Sequence, residues 1–415
     1  MNKRWMITGG ASLLFLTGCM PTINQPEEEV IVVEETEEEE EQEFVITPTI
    51  NTPDAYYRNV LEDGTYSRSS ARGNVAHAMN NRVDIEQFEL GLMEIASGVF
   101  DQENYYFQEG NHFDGELVNS WLRRYEPSEE EEEEESEDAA GFDAEEEEAA
   151  VEIEESAGLN PPLGDGEDDE ERMRDAPLVL SNIVEHNYFR GSEEDGVELG
   201  GIVVGISVRS VYYFRTETED GRLNFFEEPV DEEYAIEYAE EAAGDILQRM
   251  RSQEELQEVP ITFAIFREEP RGSLNPGTFR RMTEVGAGDM NIQGWENISE
   301  TSLVFPSSNA RDVQPALSES FTQFKDDVDD FFGQQVGTVG KARYKDDNLD
   351  EMKIEMNLQS HGKPEVIALT QFISGRLENL LQAQAPVYVY IDSVEGREAM
   401  VIQYPGEEPF MHIYK

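Results

Sequence analysis

Residues 199–214 read LGGIVVGISVRSVYYF, a β-branched and aromatic run interrupted by glycines. Such side chains suit a pleated, packed surface, so the run predicts β structure. A helical stretch follows at residues 233–251, and residues 259–266 (VPITFAIF) predict another strand. The same order returns towards the C-terminus. Residues 336–344 (VGTVGKARY) and 349–358 read as strands, the latter placing Met352, Ile354, Met356 and Leu358 on one face by the period of two. A helix over residues 365–381 and the strand PVYVYI at 386–391 complete the set. Residues 280–285 and 399–404 could each add a further strand. The expected fold is therefore α+β, with two related repeats of mainly antiparallel sheet covered by a helix on one side.

A smaller helical and mixed region precedes these repeats. Ile85, Phe88, Leu92, Ile95 and Val99 recur at helical spacing behind Asp84, which predicts an amphipathic helix over residues 85–99 with Asp84 as its cap. Residues 105–110 (YYFQEG) read as a strand ending at glycine, and 117–122 as the start of a short helix.

Charge divides the rest. The chain carries 92 acidic and 30 basic residues, a formal net charge of −62. Such a balance repels nucleic acid and excludes it as a partner. Residues 20–44 hold 11 glutamates and residues 126–171 hold 24 acids, and neither stretch has a lysine or arginine. Blocks of like charge repel and bury too little apolar surface to offset chain entropy, so both are expected to be disordered. The first is read as a tether and the second as a solvated insertion. No Asp-x-Asp-x-Asp-Gly loop with a distant glutamate supports calcium binding. The predicted organisation is a signal peptide at 1–18, a tether at 19–54, an ordered region at 55–125, an insertion at 126–176, and repeats at 177–310 and 311–415.

The first residues read as a targeting segment. Lys3 and Arg4 precede a short apolar stretch ending Leu13-Leu14-Phe15-Leu16. It falls short of the roughly 20 apolar residues that a membrane span needs. Leu16-Thr17-Gly18-Cys19 resembles the lipobox of bacterial lipoproteins, whose cysteine is diacylated and becomes the new N-terminus after cleavage. Cys19 is the only cysteine in the chain, so it forms no internal disulfide. Two acyl chains suffice for stable anchoring, at about 0.8 kcal/mol per buried methylene. The expected partners are thus the membrane, through lipidated Cys19 on the extracytoplasmic face, and the lipoprotein-processing enzymes that cut between Gly18 and Cys19.

No catalytic or metal motif emerges. His77, His112, His186, His361 and His412 are scattered, without a His-Glu-x-x-His pair. Gly-x-Ser-x-Gly and the phosphate-binding glycine loop are absent. Ser360-His361-Gly362-Lys363 has Ser-x-x-Lys spacing, yet Pro364 follows and a turn before the helix explains it better. Asp326, Asp327, Asp329 and Asp330 interleave with Phe321, Phe324, Val328 and Phe331 at helical spacing, which places the acids largely on a solvated face. Asp346-Asp347 fits a turn, and Trp295 a packed aromatic. No cofactor is expected, and the ligand of the folded part is left open.

Several segments resemble the CamS family of lipoproteins. They include Asn81-Arg82-Val83-Asp84-Ile85, Tyr106-Phe107-Gln108-Glu109-Gly110, Gly158-Leu159-Asn160-Pro161-Pro162, Leu199 to Gly205, Gly337 to Ala342, Tyr344-Lys345-Asp346-Asp347 and His412-Ile413-Tyr414. The resemblance implies a sex-pheromone-precursor lipoprotein of Gram-positive bacteria, with two related repeats in the exported part. It further implies a signal-peptide tail that can be released as a short hydrophobic peptide. That segment here is Ser12, Leu13, Leu14, Phe15, Leu16, Thr17 and Gly18. The alternatives are a solute-binding lipoprotein of a transporter, which predicts a deep cleft between lobes, and a surface hydrolase with an unrecognised site.

Overall fold

The computed structural model describes residues 44–47, 56–72, 82–126, 158–192, 196–218, 220–333, 335–359, 362–380 and 385–415. Ser12 to Gly18, Cys19, and the acidic residues 20–43 and 127–157 lie outside the described residues.

The first sheet has eight strands: β1 (Phe44–Ile46), β2 (Arg58–Glu62), β3 (Tyr105–Glu109), β4 (Leu180–Ser192), β5 (Gly196–Val208), β8 (Ile261–Arg267), β9 (Thr278–Val285) and β10 (Glu296–Asn297), ordered β1-β2-β3-β4-β5-β8-β9-β10. β6 (Val211–Glu217) and β7 (Leu223–Pro229) form a separate hairpin. Helix α1 (Arg82–Val99) packs on one face of the sheet and α4 (Glu232–Ser252) on the other; the short helices α2 (Gly115–Trp121) and α3 (Asp169–Asp175) lie between them in sequence.

β5 explains this arrangement. Every residue from 200 to 208 is buried, so the strand has no solvent face and reads as a continuous apolar run. Ile202, Val204 and Ile206 pack in one core with Ala239, Ala243, Ile246 and Leu247 of α4. Val203 packs in the opposite core with Phe88, Leu92, Ala96 and Phe100. Full burial of each Ile or Leu in these cores contributes about 1.5–3 kcal/mol. The expectation of a helix on one side is corrected for this sheet, which is covered on both. Its glycines do not break the strand but admit α1: a Cβ on Gly205 would lie 2.6 Å from Leu92, and one on Gly201 would collide with the Phe100 ring.

The second sheet has six strands, β11 (Glu300–Phe305), β12 (Gly337–Lys345), β13 (Asn348–Leu358), β14 (Val387–Ser393), β15 (Gly396–Gln403) and β16 (Phe410–Ile413), in sequence order. After α5 (Ser308–Val313), helices α6 (Pro315–Phe332) and α7 (Lys363–Leu380) cover one face. Phe321, Phe324, Val328, Val366, Leu369 and Ile373 pack against Met352, Ile354, Met356, Val389 and Val401. Here burial alternates along β12, β13 and β14, the mark of a sheet packed on one side only. Asp346 and Asp347 have φ of 48° and 63° between the paired residues Lys345 and Asn348. That is a two-residue turn with both positions left-handed, a conformation Asp tolerates and one whose twist suits a hairpin.

Both sheets contain four adjacent strands paired antiparallel, parallel, antiparallel, with a helix crossing between the parallel pair: β4-β5-β8-β9 through α4, and β12-β13-β14-β15 through α7. In the first set the leading strand is β4, for which no strand was predicted, and residues 211–214 belong to the separate hairpin. The sheets meet at Glu300, whose buried carboxylate accepts the Phe279 N–H at 2.9 Å. Arg343 bridges Glu300 at 3.5 Å and Glu94 of α1 at 2.8 Å.

Four expectations at the N-terminal side are corrected. β2 and β3 do not form a region of their own; they join the sheet of β4 and β5. Within the expected tether, residues 44–46 pair with β2. Within the expected disordered insertion, residues 158–176 are ordered, because buried Asn160 saturates its amide. Its Oδ1 accepts from Val179 and Leu180 N–H at 2.8 Å each, and its Nδ2 donates to the Leu122 and Leu180 carbonyls. Asp84 is also not a cap: α1 starts before it, and its fully buried carboxylate accepts the Glu269 and Gly277 N–H groups at 3.0 and 2.9 Å.

Candidate functional site

A cavity of about 90 Å³ lies between α1 and the β3–β4 pair. In antiparallel register Glu109 stands opposite His186 and Phe107 opposite Tyr188. The period of two puts Phe107 and Glu109 on one face of β3. Glu89 and Met93 of α1, four residues apart, share a helix face and close the cavity from the other side.

Its polar groups differ in how fully they are used. Glu109 accepts from the Tyr66 hydroxyl at 2.7 Å and the Ser69 N–H at 2.9 Å, and pairs with Arg72 at 3.1 Å. Burial and the bond to Glu109 push the Tyr66 phenol up. Glu185 accepts the His112 and Phe113 N–H groups at 3.0 and 2.8 Å and contacts His112 Nδ1 at 2.5 Å. Gly110 makes that turn possible, since any side chain there would occupy the space of Glu185. Burial alone would lower the His112 pKa, but the bond and charge of Glu185 outweigh it and hold the pKa above its ordinary value.

His186 is different. It is 4% exposed, packs edge-on to Phe107 with centroids 5.0 Å apart, and its Nδ1 has no hydrogen-bond partner among the described residues. Burial drives its pKa down to about 3, so the ring is neutral at physiological pH. Glu89 has no ion-pair partner within 4 Å among the described residues, and burial raises its pKa, partly countered by Arg72.

The second concave surface lies between α1 and the uncovered face of the second sheet, with a volume of about 300 Å³. Its cations are already held: Lys341 by Glu355 at 3.0 Å, Arg343 by Asp350 at 2.5 Å, Lys353 by Glu351 at 3.1 Å and Arg397 by Asp392 at 3.0 Å. A groove whose charges are mutually paired has little left for a charged ligand, which makes the His186 cavity the stronger candidate.

Residues singled out from the sequence do not converge. Ser12 to Gly18, Cys19, His77, Ser360 and His361 lie outside the described residues. Asp326 and Asp330 are exposed, while Asp329 accepts the Val336 N–H at 2.7 Å and Asp327 pairs with Arg376 at 3.3 Å. Lys363 pairs with Glu398 at 2.6 Å. Trp295 packs, half-buried, on the core beneath α4. The cavity residues were missed because residues 66–72, 89–93, 107–113 and 183–186 are brought together only by strand register. The one local signal is a histidine inside the strand-like run NIVEHNYF at residues 182–189.

Among the described residues no group of three or more His, Cys, Asp or Glu could hold a metal ion, and no helix is long and apolar enough to cross a membrane. The architecture is an α+β protein of two mostly antiparallel sheets with a small mixed polar and apolar cavity. The family model described as CamS sex pheromone cAM373 precursor matches residues 66–409, and the chain belongs to that family. A sex pheromone precursor from Lactobacillus salivarius subsp. salivarius UCC118, known from its crystal structure, superposes with a TM-score of 0.74 at 24% identity, over 90% of this chain and 99% of that one. The C-terminal domain of the sex pheromone staph-cAM373 precursor from Staphylococcus aureus superposes with a TM-score of 0.64 at 25% identity, over 81% of this chain and 98% of that one. No curated protein matches.

Proposed function

We propose that this chain is a lipid-anchored, non-catalytic lipoprotein on the extracytoplasmic face of the cell membrane. Its folded part is a binding module at the cell surface, and the tail of its cleaved signal peptide, Ser12 to Gly18, is the precursor of a secreted sex-pheromone peptide. The observation that carries this reading is Leu16-Thr17-Gly18-Cys19 directly behind a short apolar run, at the only cysteine of a chain in the CamS family.

The peptide is tested by mass spectrometry of spent culture medium. Fragments of Ser12 to Gly18 are expected, and a synthetic copy should induce aggregation or plasmid transfer in recipient cells. Medium without such fragments, or a copy without effect, would remove the pheromone role from this chain.

A further inference from the structure

We propose that the groove between α1 and the uncovered face of the second sheet binds a neutral sugar ring, carried either by a free monosaccharide or by a glycan strand. The inference deepens the reading of the folded part as a binding module and rests on it.

Size separates this groove from the His186 cavity. At about 30 Å³ per water, the cavity of about 90 Å³ holds about three waters and the groove of about 300 Å³ holds about ten. Only the groove reaches the range of ordinary ligand sites, which begins at about 300 Å³. Charge then sets the class of ligand. The lining cations Lys341, Arg343, Lys353 and Arg397 each have a carboxylate within 3.1 Å. Glu86, a lining acid without such a pair among the described residues, is exposed to solvent. A charged ligand would have to break these pairs, and nucleic acid is repelled by the whole chain.

The uncommitted groups are neutral. The Gln87 amide, the Ser302 hydroxyl and the Tyr390 hydroxyl line the groove on half-buried residues and make no side-chain hydrogen bond among the described residues. Together they offer donors and acceptors alike, which is what a ligand rich in hydroxyls requires. The rest of the wall is apolar. It consists of Leu90, 44% exposed, Pro276 and the Tyr390 ring, which is held by the Arg397 guanidinium 4.1 Å from its centroid. A sugar ring has the same two characters, with hydroxyls around its edge and C–H groups on its faces. A peptide fits less well. β12, β13 and β14 each have a hydrogen-bonded neighbour on both sides, so the floor of the groove has no free strand edge for a peptide backbone to join. A lipid chain would bury the charged pairs without partners for their remaining N–H groups.

The test is isothermal titration calorimetry on the full chain in a polyoxyethylene detergent, which carries no sugar, near neutral pH. The probes are glucose, galactose, mannose, N-acetylglucosamine and its β-1,4-linked tetramer, with glucuronate and N-acetyl-trialanine amide as the charged and peptide controls. Saturable binding of at least one neutral sugar is expected, with glucuronate and the peptide about tenfold weaker or worse. Its affinity should hold between about 0.1 and 1 M sodium chloride, where screening would weaken a charged ligand. Tighter binding of the tetramer assigns the site to a glycan strand, and equal or tighter binding of a monosaccharide to a free sugar. Gln87→Ala and Tyr390→Phe, which each remove polar groups from the groove, should weaken binding about three- to tenfold with little change in melting temperature. Should one of these variants not fold, the other decides. Equal or tighter binding of glucuronate, or affinity unaltered in both variants, would overturn the proposal. So would the absence of heat up to about 50 mM sugar, where even millimolar affinity saturates. Binding of the peptide in place of the sugars would overturn it too, while keeping the folded part a binding module. None of these results would bear on lipidation at Cys19.

Discussion

Buried polar side chains hold the long-range connections of this chain, and two of them make testable claims. Asp84 ties α1 to the segment between β8 and β9 through the N–H groups of Glu269 and Gly277. Bonds to a charged acceptor are worth about 1.5–3 kcal/mol each, so losing both in Asp84→Ala should lower unfolding free energy by about 3–6 kcal/mol in urea titration. His186 acts through pH. Its folded pKa is depressed, so the unfolded chain binds the proton first and stability falls as pH drops below the ordinary value near 6.5. Down to about pH 3 the loss approaches about 1.4 kcal/mol per pH unit. His112 has the opposite sign: its raised pKa contributes stability that is complete below about 6.5 and lost as pH rises through the folded value. A His186→Gln variant should therefore show a shallower acid-side decline of the urea midpoint than the parent. An unchanged slope would place a proton-accessible imidazole at 186. None of these partnerships was readable from the sequence. Asp84 looked like a helix cap because the cap pattern is local, whereas its true partners lie more than 180 residues away.

Strands and helices were more legible, since hydrophobic period is a local property. The alternation of Met352, Ile354, Met356 and Leu358 announced a one-sided sheet, and all four are buried against α6 and α7. The run at residues 199–214 announced β structure but not its surroundings. A continuous apolar run fits burial on both faces, and the covering helix α1 arrives from more than 100 residues earlier in the chain. β4 was missed because Asn182, Glu185, His186 and Asn187 dilute its apolar pattern, though all four are buried. The glycines of β5 were read as interruptions when they are contact points. Gly205→Val should push α1 off the sheet and cost about 1–3 kcal/mol, read as a lower urea midpoint with an unchanged slope. Val at a free β position would instead stabilise, and that outcome would contradict the packing of Leu92 and Phe88 on β5.

The whole chain is governed by its charge and its N-terminus. A net charge of −62 destabilises the compact state by self-repulsion, and the screening length shrinks from about 10 Å at 0.1 M salt to about 3 Å at 1 M. The melting temperature should therefore rise with sodium chloride across that range; a fall would mean that paired charges such as those around Arg343 outweigh the repulsion. Composition foretold the extent of this charge but not the order of residues 158–176, where Leu159 and Asn160 are buried. Anchoring at Cys19 is the central functional claim, and metabolic labelling with a clickable palmitate analogue addresses it most directly. The account predicts that the parent chain takes up label and sediments with membranes, and that Cys19→Ala is unlabelled with its signal peptide uncut. Unlabelled parent protein, or label retained by Cys19→Ala, would contradict it.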